Sequence, residues 1–319
     1  MSALLFLLLF LPPLQTGGET VADAQRLVEA GKFDAAQSML EQVIERDGTD
    51  AGAHMLLGKI LSGHFEKFDD AEEHMEKAVE LADGNAEFHF QLGILYGGQA
   101  QRASVFSKLS YAGKTKSQFQ RAVDLAPEHV RYRMALLSYY LQAPGIAGGS
   151  VAKAREHAGE LLARDPFEGH MALAGIADYE KDPGATEREY LAAISANAAA
   201  WRPHHRLGYL YLKLNRVDDA IVEFTKYVRK APGDPNSHDS LADALSAKGD
   251  RDAALASYRD ALKVNPRFPS SLYGAGRCCD EQGKIDEAAE YYRRFLETNP
   301  KGDDAVKAKE RLRVFGTNE

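Results

Sequence analysis

Residues 201–268 read WRPHHRLGYLYLKLNRVDDAIVEFTKYVRKAPGD followed by PNSHDSLADALSAKGDRDAALASYRDALKVNPRF, two consecutive units of 34 residues. In the first, His204, Leu207, Gly208 and Tyr211 precede Ala220, Phe224 and Pro232. In the second, His238, Leu241, Ala242 and Leu245 precede Ala254, Tyr258 and Pro266 at the same intervals. The spacing predicts two helices per unit. Leu207, Tyr211, Leu214 and Val217 share one helical face, as do Ala220, Phe224 and Tyr227 or Val228 on the next. Gly208 and Ala220 are small where the two helices must approach. Asn215 and Gly249 stand between the helices, where a left-handed residue ends a helix at least cost. Pro232 and Pro266 cannot continue the second helix. Asp234–Pro235 then reads as an N-cap with proline in the first turn. A single such hairpin cannot bury its own apolar face, so copies must stack.

The set His204, Leu207, Gly208, Tyr211, Ala220, Phe224 and Pro232 resembles the tetratricopeptide repeat (TPR), with His where that family often has Trp. Trp201 lies three residues earlier and is not the motif's own. The resemblance implies an all-α, right-handed superhelical solenoid of about eight helix–turn–helix units. Used as a ruler, the period places repeats at about 17–50, 51–85, 86–129, 130–166, 167–200, 201–234, 235–268 and 269–302. Residues 303–319 form a capping helix and tail, with Val306, Leu312 and Val314 expected to cover the last repeat. Two repeats are too long. The third carries extra residues near 97–111, read as a longer loop or as an extension of both helices. The fourth carries them at 143–150, APGIAGGS, before a helix starting near Val151. The stretch 139–153 resembles one found in exported bacterial TPR proteins of unassigned role.

Residues 4–11 are an unbroken apolar run stopped by Pro12–Pro13. The run is far short of the roughly 20 residues that span a bilayer. It has the form of a signal peptide over 1–18, although no Lys or Arg precedes Arg26. Export to a periplasmic or secreted location is expected, or a cytoplasmic one if the segment is not a signal, with no stable membrane span after cleavage.

The net charge of −8 argues against general nucleic-acid binding, which needs a basic face. The only cysteines, Cys278 and Cys279, are chain neighbours poorly placed to bond each other, and Cys279 falls on a core position. No Ser/His/Asp or Cys/His set is present, and paired carboxylates such as Asp218–Asp219 sit at helix starts, where they complement the dipole. No enzyme activity, cofactor or metal is expected. His54, His89, His170, His204 and His238 occupy one slot in five repeats, which makes a ladder of separated rings rather than a ligand cluster.

The resemblance implies a non-enzymatic scaffold that takes a protein or peptide in a concave groove lined by the first helix of each hairpin. By register the groove would present Arg202, His205, Tyr209 and Lys213, then Asp239 and Asp243, then Tyr273 and Arg277. Phe90 and Ile94 with Arg131 and Met134 would lie further along. The Lys and Asn set that holds a chaperone's C-terminal carboxylate in some relatives is not matched, since His205 and Asp239 stand in its place. Self-association through array ends is a further possibility. The alternative is a small-anion or substrate site in the Gly-rich loop 143–155. There Gly148, Gly149 and Ser150 would present backbone amides beside Lys153, with Lys108 converging on them. A structural turn is the plainer reading of those glycines.

Overall fold

The computed structural model describes residues 20–316, the side chains of residues 105 and 106 excepted, so the apolar leader at 1–18 lies outside the described residues. These residues form seventeen α-helices and no strand, and consecutive helices stack as antiparallel pairs. The chain divides into two compact units, one ending at Ser150 and the other beginning at Val151. The division falls inside the fourth expected repeat.

The first unit contains α1 (Val21–Glu29), α2 (Phe33–Arg46), α3 (Ala51–Gly63), α4 (Phe68–Leu81), α5 (Ala86–Arg102), α6 (Val105–Leu125) and α7 (Val130–Gln142). A single 3-10 turn, Gly145–Ala147, follows α7. The extra residues near 97–111 enter the helices rather than a loop: α5 has 17 residues and α6 has 21. The lengthened α6 is tied back to α4. Tyr111 donates to Glu72 at 3.0 Å, and the Lys114 ammonium reaches Glu72 at 2.7 Å and Glu76 at 3.1 Å.

The second unit contains α8 (Val151–Arg164), α9 (Pro166–Tyr179), α10 (Pro183–Ala196), α11 (Arg202–Lys213), α12 (Val217–Lys230), α13 (Pro235–Lys248), α14 (Arg251–Val264), α15 (Pro269–Glu281), α16 (Ile285–Thr298) and α17 (Asp303–Gly316). Local chemistry starts and ends these helices. Asp165, Asp182, Asp234 and Asp250 each accept a backbone N–H in the first turn of the helix that follows. Asn215 at φ 58° and Gly249 at φ 87° adopt the left-handed conformation that closes α11 and α13.

Packing follows the small-residue logic of the spacing. A Cβ on Gly208 would meet the Phe224 ring at 2.4 Å, so only glycine lets α12 lie this close to α11. Ala220, Phe224 and Tyr227 are completely buried behind that contact. Cys278 and Cys279 are both buried and unbonded to each other, and burial pushes the Cys278 thiol up to about 11.

Two packing expectations fail. Leu214 is exposed, because α11 ends at Lys213 and the chain turns away at Asn215. Val306 is also exposed. The face of α17 that packs is Ala305, Ala308 and Phe315, with Leu312 partly buried beside them.

Candidate functional site

The first helices of three hairpins in the second unit, α11, α13 and α15, are linked by polar side chains. The Tyr209 and Ser240 hydroxyls are 3.1 Å apart, joining α11 to α13. Asp239 accepts from Ser270 at 2.9 Å and Ser271 at 2.5 Å, joining α13 to α15. Asp239 is nearly inaccessible, and burial raises its carboxyl to about 6 against the pull of the two serines. Asp243, one turn on, accepts from Tyr258 at 2.6 Å. Burial raises its pKa as well, with Tyr258 and Arg277 opposing.

Asp243, Ser270, Tyr273 and Arg277 line one cleft of about 740 Å³, closed by Asn299 of the turn after α16 and by Asp304 and Lys307 of α17. Tyr273 packs its ring on Phe295 at 5.1 Å. Arg277 is exposed and has no ion-pair partner among the described residues. The last three groove residues expected from register therefore share a cavity, and Tyr209 and Asp239 lie on the ladder leading to it.

The basic members around α11 behave differently. Arg202 makes two bonds of 2.8 Å to the carboxylate of Glu168, with its guanidinium over Phe167. Lys213 reaches Asp178 at 3.3 Å. Both cations are paired with carboxylates of α9, which leaves His205 and Tyr209 of the four expected residues beside aromatic rings. His205 lies among Trp201, Tyr209, Phe224 and Tyr227, where burial lowers its pKa and the Arg206 charge adds to this. Trp201 stacks on Tyr227 at 4.9 Å. Although Trp201 lies outside the repeat motif, with Tyr209 it forms the exposed edge of this cluster. The only sequence signal for it was a Trp four residues before a His, one helical turn away.

In the first unit Phe90 is not a groove anchor. Its ring is buried against Phe119 and Tyr132 and covered by the Arg131 guanidinium at 4.5 Å. Arg131 is in turn paired with Glu87. Ile94 remains exposed.

The loop at 143–150 does not present its amides. Ala147 N–H donates to Pro144 O at 2.8 Å, Gly148 to Gly145 O at 2.9 Å, Gly149 to Pro144 O at 3.1 Å and Ser150 to Tyr140 O at 2.8 Å. With those donors spent inside the turn, no anion cradle is formed by Gly148, Gly149 and Ser150. A Cβ on Gly149 would sit 1.8 Å from the Ala143 carbonyl oxygen, so this glycine answers to the turn itself. Lys108 lines a cleft with Ile146 and Ala147, but neither Gly148 nor Gly149 lines it, and Lys153 belongs to α8.

In four of the five repeats the histidine slot acts as a strut within the hairpin, whereas the His238 ring turns to the Pro232 carbonyl at 3.3 Å. Nδ1 of His89 is 2.6 Å from Gln118 Oε1, that of His170 2.8 Å from Glu189, and that of His204 2.7 Å from Glu223. Burial alone would raise the Glu223 carboxyl, but bonds from His204 and Lys226 hold it below the usual range. Among the described residues no group of three or more His, Cys, Asp or Glu is arranged to hold a metal ion. No helix among them is long and apolar enough to cross a membrane.

Residues 21–86 and 240–303 match the tetratricopeptide repeat family model, and 146–265 match that of the bacterial transcriptional activator domain. Over 114 residues the chain is 30% identical to human superkiller complex protein 3; the match covers 36% of this chain and only 7% of that protein. The crystal structure of a tetratricopeptide repeat protein from Parabacteroides merdae superposes over 93% of this chain and 97% of its own, with a TM-score of 0.54 at 14% identity. Stacked antiparallel helix pairs, the Gly208–Phe224 type of contact and these similarities together show an all-α, TPR-like repeat fold.

Proposed function

We propose that the second unit is a non-enzymatic protein-binding module that takes a partner segment along α11, α13 and α15. The observation that supports this most directly is the 740 Å³ cleft, in which Arg277 stands unpaired beside Tyr273. A partner carboxylate placed there would meet a cation that no described carboxylate has already bound, while Trp201 and Tyr209 offer aromatic surface at the other end. Aromatic and Arg side chains of this kind supply a disproportionate share of binding energy at interfaces. Arg202 is left out of the test because its replacement would also break its pair with Glu168. The test is a photo-crosslinker in place of Tyr209, with and without Arg277→Glu. Crosslinks that vanish with Arg277→Glu support the groove, and crosslinks unaffected by it remove Arg277 from the site.

A second reading rests on the match to the bacterial transcriptional activator domain, which covers α8 to α14. In that reading the unit would contact another protein of a transcription complex rather than DNA, since the chain carries a net charge of −8. Export, inferred from the apolar run at 4–11, would make this reading untenable. Cell fractionation with N-terminal sequencing of the mature chain separates the two.

A further inference from the structure

The first unit contains a second cleft, of about 660 Å³, walled by α5, α6, α7 and the turn at 143–147. We propose that it binds a single-chain amphiphile with an anionic head, an alkyl carboxylate. The cavity has a clear origin. Helix α5 has 17 residues and α6 has 21, whereas the neighbouring α7 has 13, so the added turns of α5 and α6 have no helix of equal length beside them. The lining that remains is small: Gly97, Ala100, Ala112, Ala135 and Ala143 leave the space open rather than fill it. The volume is that of a small-molecule site, and the wall is mostly apolar, as such sites are.

Two observations specify the occupant. Leu109 and Ile146 both line this cleft while 44% and 84% exposed, so apolar surface waits in water for something to cover it. Lys108 is the one charged side chain in the lining; it is exposed and has no carboxylate partner among the described residues. An apolar body with a single negative charge complements both. A peptide fits less well. An extended backbone needs donors and acceptors along its length; the turn's amides are already paired internally, and the lining offers separate side chains such as Gln101, Ser138 and Gln142 rather than a row of backbone groups. The Tyr139 hydroxyl is likewise spent on the Ala147 carbonyl.

The test is calorimetric titration of the purified chain with decanoate, decanol and decyltrimethylammonium, each below its micelle concentration. Decanoate binding with one-to-one stoichiometry, tighter than that of the cationic analogue, is expected. Leu109→Ser with Ile146→Ser, both surface changes, should weaken decanoate by more than about tenfold. Lys108→Gln should weaken decanoate by about fivefold and leave decanol unchanged. Circular dichroism of each variant establishes that the helices persist. Absent or many-to-one binding of decanoate overturns the proposal, as does binding that the double serine variant retains. Equal affinity for the cationic analogue overturns the choice of an anionic head. Tighter binding of a Leu-rich amidated peptide at the same residues would assign the cleft to a peptide instead.

Discussion

Nδ1 of His54 lies 2.9 Å from Nδ1 of His74, joining α3 to α4 through two imidazoles. His54 Nε2 is 3.2 Å from the Gly48 carbonyl, which can only accept. A neutral His54 therefore carries its proton on Nε2, leaving Nδ1 to accept from His74. Burial and then the charge of His54 lower the His74 pKa below 6.5. A base whose folded pKa is depressed takes up protons more readily when unfolded, so its contribution is complete above pH 6.5 and is lost as pH falls through the folded value. Thermal unfolding of the wild type should therefore show a falling Tm between pH 7.5 and 5. His74→Gln should flatten that slope, and an unchanged slope would remove the pair as its cause.

Asp239 works in the opposite sense. Its carboxyl is raised from 3.8 to about 6 by burial, so the folded state holds the proton longer than the unfolded chain. The stability this brings is present below pH 3.8 and is lost as pH rises through about 6. A shift of this size amounts to roughly 2–3 kcal/mol at neutral pH. Asp239→Asn should raise Tm at pH 8 and have little effect at pH 4, as read by calorimetry at both values.

The Gly208–Phe224 contact sets the distance between α11 and α12. Gly208→Ala should destabilise by about 1–3 kcal/mol through overpacking. Phe224→Ala should cost about 3–5 kcal/mol through the void it leaves. Because the two act on one space, Gly208→Ala with Phe224→Leu should lose less than the sum, measured by urea denaturation.

Gly149→Ala places a methyl against the Ala143 carbonyl and should open the turn after α7. Hydrogen exchange at the Gly149 and Ser150 amides should accelerate, while amides in α12 stay protected. Equal exchange in the wild type and the variant would show that the turn tolerates the methyl.

Much of the architecture was legible because helical repeats carry their constraints locally. Gly208, Asn215, Ala220 and Pro232 each answer to a steric or dihedral demand that spacing reveals. The extra residues near 97–111 were ambiguous for a physical reason. The run carries no proline to stop a helix, and its glycines, Gly97 and Gly98, only weaken one, so loop and helix read alike until Tyr111 and Lys114 are seen gripping Glu72. The face that register assigns to α11, α13 and α15 was legible in direction but not in charge. Register points Arg202 and Lys213 toward one face, but whether a cation is free depends on Glu168 and Asp178, about one repeat length away in sequence. The apolar cleft of the first unit left no motif at all, since it arises from a mismatch of helix lengths.

The grip of Lys114 on Glu72 and Glu76 also constrains how this gene can vary in length. A surface loop accepts the gain or loss of one residue with little consequence. Here the added residues are wound into α6, where removing one between Lys108 and Lys114 would rotate everything before it by about 100°. Leu109 would swing off the cleft wall while Lys114 kept its carboxylates. Viable length variants in this region should therefore change α5 and α6 together and by whole turns, in steps of three or four residues.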